Sequence, residues 1–579
     1  MCMLKKYFPT MLNFAFISAL MLITGCKSEI SFEFPSQKLD QSIDHFAPKN
    51  LSLLALSSSS IDLNWNPSIS ASESGYKIAY NEGDQAPGSC ELGTIIATTD
   101  ITGTSHQIDS LEPLKKYAFR VCALDGQGDE VSSKIIISDV LRPTKIYRSV
   151  GPDNTSFLSQ GSPGNTLRIE DSVAYFELSL AGNIGVGDAV LIDRNDNSDF
   201  DADDEVVFIY ERDPNSSPAN TIYTVKTVSG ETPDDFDAPS SYWAIYRAYT
   251  QASSAERANE NSGIDADLRN FDTWTNGRDM VANDEQWEFA IYGDGANGTL
   301  RFRDWISSPA HYLRVFAPHL PTEVGMSQRH SGVWDNTKAR FISSDYFGTI
   351  NNENEETAFN HLRLDGLLVE NSRSDGTGNG GGLNFDDFDR GVDDNGVLYV
   401  QNCLVKKTLG SWSAYEQAGL WVNTDRISKV VVTNNVFTGF AKGIFLGTKS
   451  NITVEIYNNT IDDSMDAGIR LSDGGSNETF RIKNNLVVNT GQDYNIGPSV
   501  TLSDYSNNLS SDSTAVGLNS VTNSIISFVD PTIQDYRLDS SDTDAISQGV
   551  DMSQDTNYPF DKDIRGITRS TWDIGAFRF

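Results

Sequence analysis

Three features of the 579-residue sequence predict an all-β chain, a small antiparallel sandwich followed by a right-handed parallel β-helix. Short runs alternating apolar and polar residues recur between positions 47 and 142 at the spacing of sandwich strands. Between positions 361 and 510 a polar step followed by two apolar residues returns about every 23–26 residues. Gly, Asn, Asp, Ser and Thr are plentiful, as a chain with many tight turns requires. The length calls for more than one core. A hydrophobic content of 38% and an aromatic content of 10% are enough to fill those cores and exclude disorder.

The first 25 residues read as an address. Lys5 and Lys6 form a positive start, and Met11 to Leu22 is apolar but too short for a comfortable membrane span. The following Leu22-Ile23-Thr24-Gly25-Cys26 resembles a bacterial lipobox. That resemblance implies acylation of Cys26 and a lipid anchor, with more than one chain as stable attachment requires. Lys27, in place of an aspartate, favours the outer membrane, with the body facing either the periplasm or the outside. Residues 26–46 are polar and aperiodic and read as a tether. The formal charge is −36, and loss of Lys5 and Lys6 makes it more negative still. Such a field repels nucleic acid and excludes it as a partner.

Residues 47–142 are expected to form the sandwich. Ile61 to Trp65, Tyr76 to Tyr80 and Tyr117 to Ala123 alternate apolar and polar side chains. Pro48, Leu63, Trp65, Tyr76, Leu111, Pro113, Tyr117, Val121 and Ala123 resemble the conserved pattern of fibronectin type III domains. The resemblance implies a core tryptophan at Trp65 and a tyrosine corner at Tyr117. Cys90 follows the Tyr76–Tyr80 run, and Cys122 lies on the face of its strand opposite Tyr117 and Val121. In an oxidising compartment they are expected to form a surface disulfide.

Residues 143–270 read as a β-rich transition before the helix. Ala252 to Glu260 has helix-favouring composition and is expected to cap the open end of a solenoid. Asp193, Asn195, Asn197, Asp199, Asp201 and Asp204 occupy positions 1, 3, 5, 7, 9 and 12 of an acidic loop. The pattern resembles an EF-hand-type loop and implies Ca2+ as a ligand. Ser198 stands at the turn-glycine position, Asp204 at that of the terminal Glu, and no flanking helices are evident.

Residues 271–579 are expected to form the β-helix. Its steps are Gln401-Asn402-Cys403-Leu404, Asn434-Asn435-Val436-Phe437, Asn458-Asn459-Thr460-Ile461, Asn484-Asn485-Leu486-Val487 and Asn507-Asn508-Leu509. Coils stacked about 4.8 Å apart bring Asn402, Asn435, Asn459, Asn485 and Asn508 into one structural hydrogen-bonded ladder. A parallel series runs through Gly382-Leu383, Gly419-Leu420, Gly443-Ile444 and Gly468-Ile469. Near the end, the stretch from Asp561 to Gly566, Arg569, and Asp573-Ile574-Gly575-Ala576 resemble the segment that finishes the last coil of many secreted bacterial β-helices. With the ladder, this makes the chain similar to the pectin-lyase-like superfold, which hosts lyases, hydrolases, epimerases, adhesins and tailspikes.

No reaction follows from the residues. The six histidines form no metal-ligand spacing, and no Gly-x-Ser-x-Gly or phosphate loop occurs. Arg481-Ile482-Lys483 resembles a fragment of the polygalacturonase signature, but Gly-His-Gly is missing, which excludes that family. A lyase on this fold needs a Lys, Arg or His to take a proton beside a uronate carboxylate. Lys406, Lys407 and Arg390 are the candidates, with Arg373, Arg426 and Arg470 behind them. Paired carboxylates for glycoside hydrolysis occur at Asp386, Asp387, Asp389, Asp393 and Asp394. Arg329 to Asp335 is one further compact cluster of reactive types. Two functions are expected, in this order: an envelope lipoprotein binding a polysaccharide or cell-surface ligand, and a calcium-assisted polysaccharide lyase.

Overall fold

The computed structural model describes residues 47–579 except 69–74, 102, 196, 217–220, 276, 353–360, 375–380, 386–394, 408–416, 424–426, 448–449 and 473–475. Cys26, Arg390, Arg426 and the acidic run from Asp386 to Asp394 lie outside the described residues. The chain divides into two compact units.

The smaller unit is the antiparallel sandwich. One sheet joins Lys49–Ser57, Ser60–Asn66 and Ser105–Ile108; the other joins Thr94–Ile96, Tyr76–Glu82, Tyr117–Leu124 and Glu130–Ile137. Trp65 is buried, its ring 5.1 Å from Tyr76 and edge-on to it. Tyr117 is buried against Tyr80 and Phe119. Lys77 pairs with Cys122 across the second sheet, which brings Cys122 to Cys90 in a disulfide. The bridge is not on the surface, contrary to the sequence expectation. Both cysteines have 0% exposure and pack with Ala79. The segment around Cys90 folds over the sheet and covers what strand alternation alone would leave open.

The larger unit is a parallel β-helix of three sheets. One full coil shows the plan: His361–Asp365 in sheet A, Leu368–Asn371 in sheet B and Gly381–Phe385 in sheet C. Sheet A has nine strands and sheets B and C seven each, and every neighbour within them is parallel. Leu362, Leu398, Val430, Val454 and Phe480 stack inward from sheet A, and Leu383, Leu420, Ile444 and Ile469 inward from sheet C. Like side chains therefore meet like side chains in every layer, which favours parallel stacking of such apolar columns.

The helix begins earlier than the predicted position 271. Thr144–Val150 pairs in parallel with Glu285–Ile291 over seven residues and is the first strand of sheet A. Between them the chain makes an eight-stranded antiparallel excursion, from Ser159–Gln160 to Trp243–Tyr246, with its own core of Leu167, Phe176, Val190, Ile209 and Trp243. A short helix, Ala252–Glu256, then buries Ala252 and Ala255 in the main core and packs on the first strands, at the end predicted to need a cap.

Candidate functional site

The two-residue turn between sheets A and B is the most regular feature of the β-helix. Its first position is left-handed in six successive coils: Gly366 at φ 76, Asn402 at 55, Asn434 at 54, Asn458 at 51, Asn484 at 56 and Asn507 at 51. Glycine and asparagine tolerate that conformation best, which explains their recurrence. The second position forms the ladder. Asn459 Nδ2 donates to Asn485 Oδ1 at 3.0 Å and to Val432 O at 2.9 Å, while Asn459 Oδ1 accepts from Asn435 N and Nδ2. Asn485 repeats the pattern toward Asn508.

Asn402 is not a rung. Leu404 pairs with Val436, so Asn402 stacks on Asn434 and Cys403 occupies the rung position below Asn435. Cys403 N donates to Asn435 Oδ1, and Asn402 Nδ2 turns outward to Asp365. The Cys403 thiol is buried, and burial pushes its pKa up to about 12.

The left-handed asparagines face the C-terminal segment. Asn434 donates to Lys562 O, Asn458 to Asp573 O and Gly575 O, and Asn484 to Val550 O. The closing motif therefore does not finish the last coil. It folds back over the outer side of the middle coils, where Tyr536, Ile564, Ala576 and Phe577 cover Leu368, Leu404 and Val436 of sheet B. Asp563 accepts from Arg565 N and Ile567 N around Gly566 at φ 80, and Arg569 donates to the carbonyls of Gly575, Ala576 and Phe577. These are structural duties.

Of the leading predicted bases, Lys406 and Lys407 lie among the described residues and both are occupied. Lys406 pairs with Glu370 at 3.3 Å and lies 3.8 Å from the centre of the Trp334 ring. Lys407 is buried and donates to Arg373 O at 2.7 Å. Neither is a free general base. Arg481 pairs with Glu455, and Lys483 with Asp504 and Asp555. In the Arg329–Asp335 cluster, His330 bridges Gly332 N and Asn402 O, and burial pushes its pKa down to about 3. It is a neutral packing residue. The acidic loop is a hairpin between Ala189–Ile192 and Glu205–Arg212. Asp193 accepts from Asn197 N and Ser198 N, Asp201 from Asn195 and Asn197, and Asp204 from Arg194 N and Asp201 N. Ser198 takes φ 63 at the turn position. Among the described residues, Phe200 N alone donates to the Asp199 carboxylate. The donors are hard oxygens suited to Ca2+.

The outer face of sheet C carries an arrangement the sequence analysis did not single out. Register places Arg301, Asn351, Asn384, Trp421, Phe445, Arg470 and Asn495 in one outward column. Trp421 and Phe445 are stacked with centroids 4.1 Å apart and planes 33° from parallel. Lys442 lies beside them, 5.9 Å from the Trp421 ring, with its ammonium 3.4 Å from Asp466, which also pairs with Arg470. Several buried polar atoms on and beside this column have no hydrogen-bond partner among the described residues: Asn351 Oδ1, Asn384 Oδ1, Trp421 Nε1 and both amide atoms of Gln417. Unmatched buried donors and acceptors are rare in folded proteins, and a cluster of them beside an aromatic stack has the chemistry to meet a polar ligand. The signal was one residue away in the sequence: Trp421 and Phe445 directly follow the repeated Gly419-Leu420 and Gly443-Ile444 steps.

Comparison with known protein families supports the identity of the sandwich. Residues 46–139 match the family model described as the Fibronectin type III domain. That stretch is a fibronectin type III domain, joined to a parallel β-helix in an all-β chain. Among solved structures, the chain is similar to a fibronectin type III domain of human collagen XX (20% identity, 16% of this chain and 90% of that one, TM-score 0.13). It is also similar to three such domains of chicken CNTN1 (13% identity, 31% and 55%, TM-score 0.12). A further likeness is to a family 28 exopolygalacturonase of Yersinia enterocolitica (12% identity, 81% and 88%, TM-score 0.16).

Proposed function

We propose that this protein is a cell-envelope lipoprotein, anchored through Cys26 to the outer membrane, that binds glycan on the outer face of sheet C. The observation that carries this is the stack of Trp421 and Phe445 set among unpartnered buried amide and indole atoms. A sugar ring offers apolar C–H groups to an aromatic ring and hydroxyls to unmatched donors and acceptors. Lys442 and Arg470 are held by Asp466, which leaves the face little free charge. That balance suits a neutral or sparsely charged glycan.

Binding without turnover fits best, because Lys406 and Lys407 are engaged. Wild type is expected to be retained on an immobilised neutral polysaccharide, and Trp421→Ala to weaken retention roughly tenfold or more. Equal retention of both proteins on every polysaccharide that binds would sink the assignment. Incubation with alginate, pectate and chondroitin, followed by ultraviolet absorbance of unsaturated products, tests the lyase alternative. We further propose that the hairpin from Asp193 to Asp204 binds Ca2+ and is ordered by it. Calorimetry should show calcium binding to wild type that Asp193→Ala abolishes.

A further inference from the structure

Sheet A carries a place where a charged side chain is presented without its counter-charge. Its central outward column runs Glu288, Arg314, Arg363, Tyr399, Val431, Glu455, Arg481. The arginines on either side of the centre are neutralised: Arg314 by Glu288 at 3.1 Å and Asp365 at 2.6 Å, Arg481 by Glu455 at 3.2 Å. Arg363 is different. Among the described residues no carboxylate lies within ion-pair distance of it. Its guanidinium instead sits between two tyrosines, 3.7 Å from the centre of the Tyr312 ring and 4.8 Å from that of Tyr399. In a chain of formal charge −36, where acid outnumbers base by 80 to 44, a half-buried arginine left without an acid is conspicuous.

Arg363 lines an open depression of about 70 Å³ with Pro309, Tyr312, His361, Val397 and Tyr399. A water-sized group needs roughly 10–15 Å³ by the same measure, so the space accepts a carboxylate and the atoms next to it but not an extended chain. The two rings confine the guanidinium at the depression. Its planar fork of N–H groups is the part of an arginine that grips a carboxylate with two parallel bonds.

We propose that this depression is a carboxylate site which takes a singly charged acidic sugar at a chain end. The strands that floor it are hydrogen-bonded on both sides within sheet A. They offer no main-chain edge to a peptide, which disfavours strand addition and leaves side-chain recognition. Pro309, Val397 and the tyrosines supply an apolar wall for a pyranose. The net charge of the molecule opposes a polyanion but costs one carboxylate little. The sugar identity rests on the glycan-binding function proposed above. The carboxylate site does not, and the two faces are separable by mutation.

The test is calorimetric or NMR titration of the full chain with glucuronate, glucose, acetate, polygalacturonate and an N-acetyl aspartate amide. Glucuronate should bind and glucose should not. Arg363→Gln should weaken glucuronate at least tenfold, and Arg363→Lys should fail to restore it fully because the fork is gone. Val397→Phe, which fills the depression but keeps Arg363, should also lose binding, and unchanged circular dichroism in either variant shows that folding is intact. Trp421→Ala should leave glucuronate binding unchanged. If Arg363→Gln binds glucuronate like wild type, or glucose binds equally well, the site is refuted. Equal binding of the aspartate amide, or preferential binding of polygalacturonate, overturns the assignment to a singly charged sugar. Loss of polysaccharide retention on the sheet C face with glucuronate binding intact, or the reverse, shows which of the two proposals failed.

Discussion

At the scale of single residues, the asparagine ladder does most to hold the coils in register. Asn459 alone satisfies Asn435 N and Nδ2, Val432 O and Tyr457 O, all away from water. Asn459→Ala strands these groups at once. Leaving one buried polar group unmatched costs about 1–3 kcal/mol, so the expected loss is roughly 3 kcal/mol, read as a lower urea midpoint with an unchanged slope. The same column shows what could be read in advance. The doubled asparagines at 434–435, 458–459, 484–485 and 507–508 carry their own register, since left-handed turn and rung are adjacent. In Gln401-Asn402-Cys403 only one asparagine remains, and its assignment to the rung was wrong by one place. A thiol can fill the rung because its main-chain N–H, rather than its side chain, meets Asn435.

At the scale of the element, the short helix Ala252–Glu256 closes the first coil with an unusual charge state. Glu256 is almost fully buried and accepts from Arg303 N at 2.9 Å. Burial raises its pKa from 4.5 to about 7 against the opposing pull of Arg303. A folded-state pKa above the unfolded one means that the folded chain holds this proton more tightly. Its contribution is therefore complete below about pH 4.5, declines as pH rises, and is gone above about pH 7. The size is on the order of 3 kcal/mol. Glu256→Gln should flatten that part of the stability–pH curve, measured by denaturant unfolding between pH 4 and pH 8. A slope unchanged in the variant would show that another group is responsible. The helix itself was legible from composition. The antiparallel excursion before it was not recognised as an insertion, because pairing of Thr144–Val150 with Glu285–Ile291 spans a gap that local periodicity cannot bridge. The face of Trp421 and Phe445 was hidden for a related reason. Each residue is unremarkable alone, and only the coil register brings them together.

At the scale of the whole molecule, the fibronectin type III domain and the coil repeat were legible because both are written in regular spacing. The path of the C-terminal segment was not, since nothing in its motif says which coil it will meet. Its removal tests its role. A chain ending at Ser510 would uncover Leu368, Leu404, Val436, Leu486 and Leu509, which Tyr536, Leu538, Ile574 and Phe577 now shield. Such a strip is an exposed apolar patch beside a parallel sheet, and the shortened protein is expected to aggregate or form oligomers on size-exclusion chromatography. A soluble monomer of unchanged circular dichroism would show that the segment is dispensable. Among the described residues no helix is long and apolar enough to cross a membrane.

The backward course of that segment sets an order of events. Its partners at Asn434, Asn458 and Asn484 exist only once three successive coils have stacked, whereas the coils need nothing from the tail to begin. Translation delivers that segment after the coils. A newly made chain therefore carries a sticky seam down one side until the segment arrives and zips it shut, so chaperone protection should be needed chiefly in that closing interval.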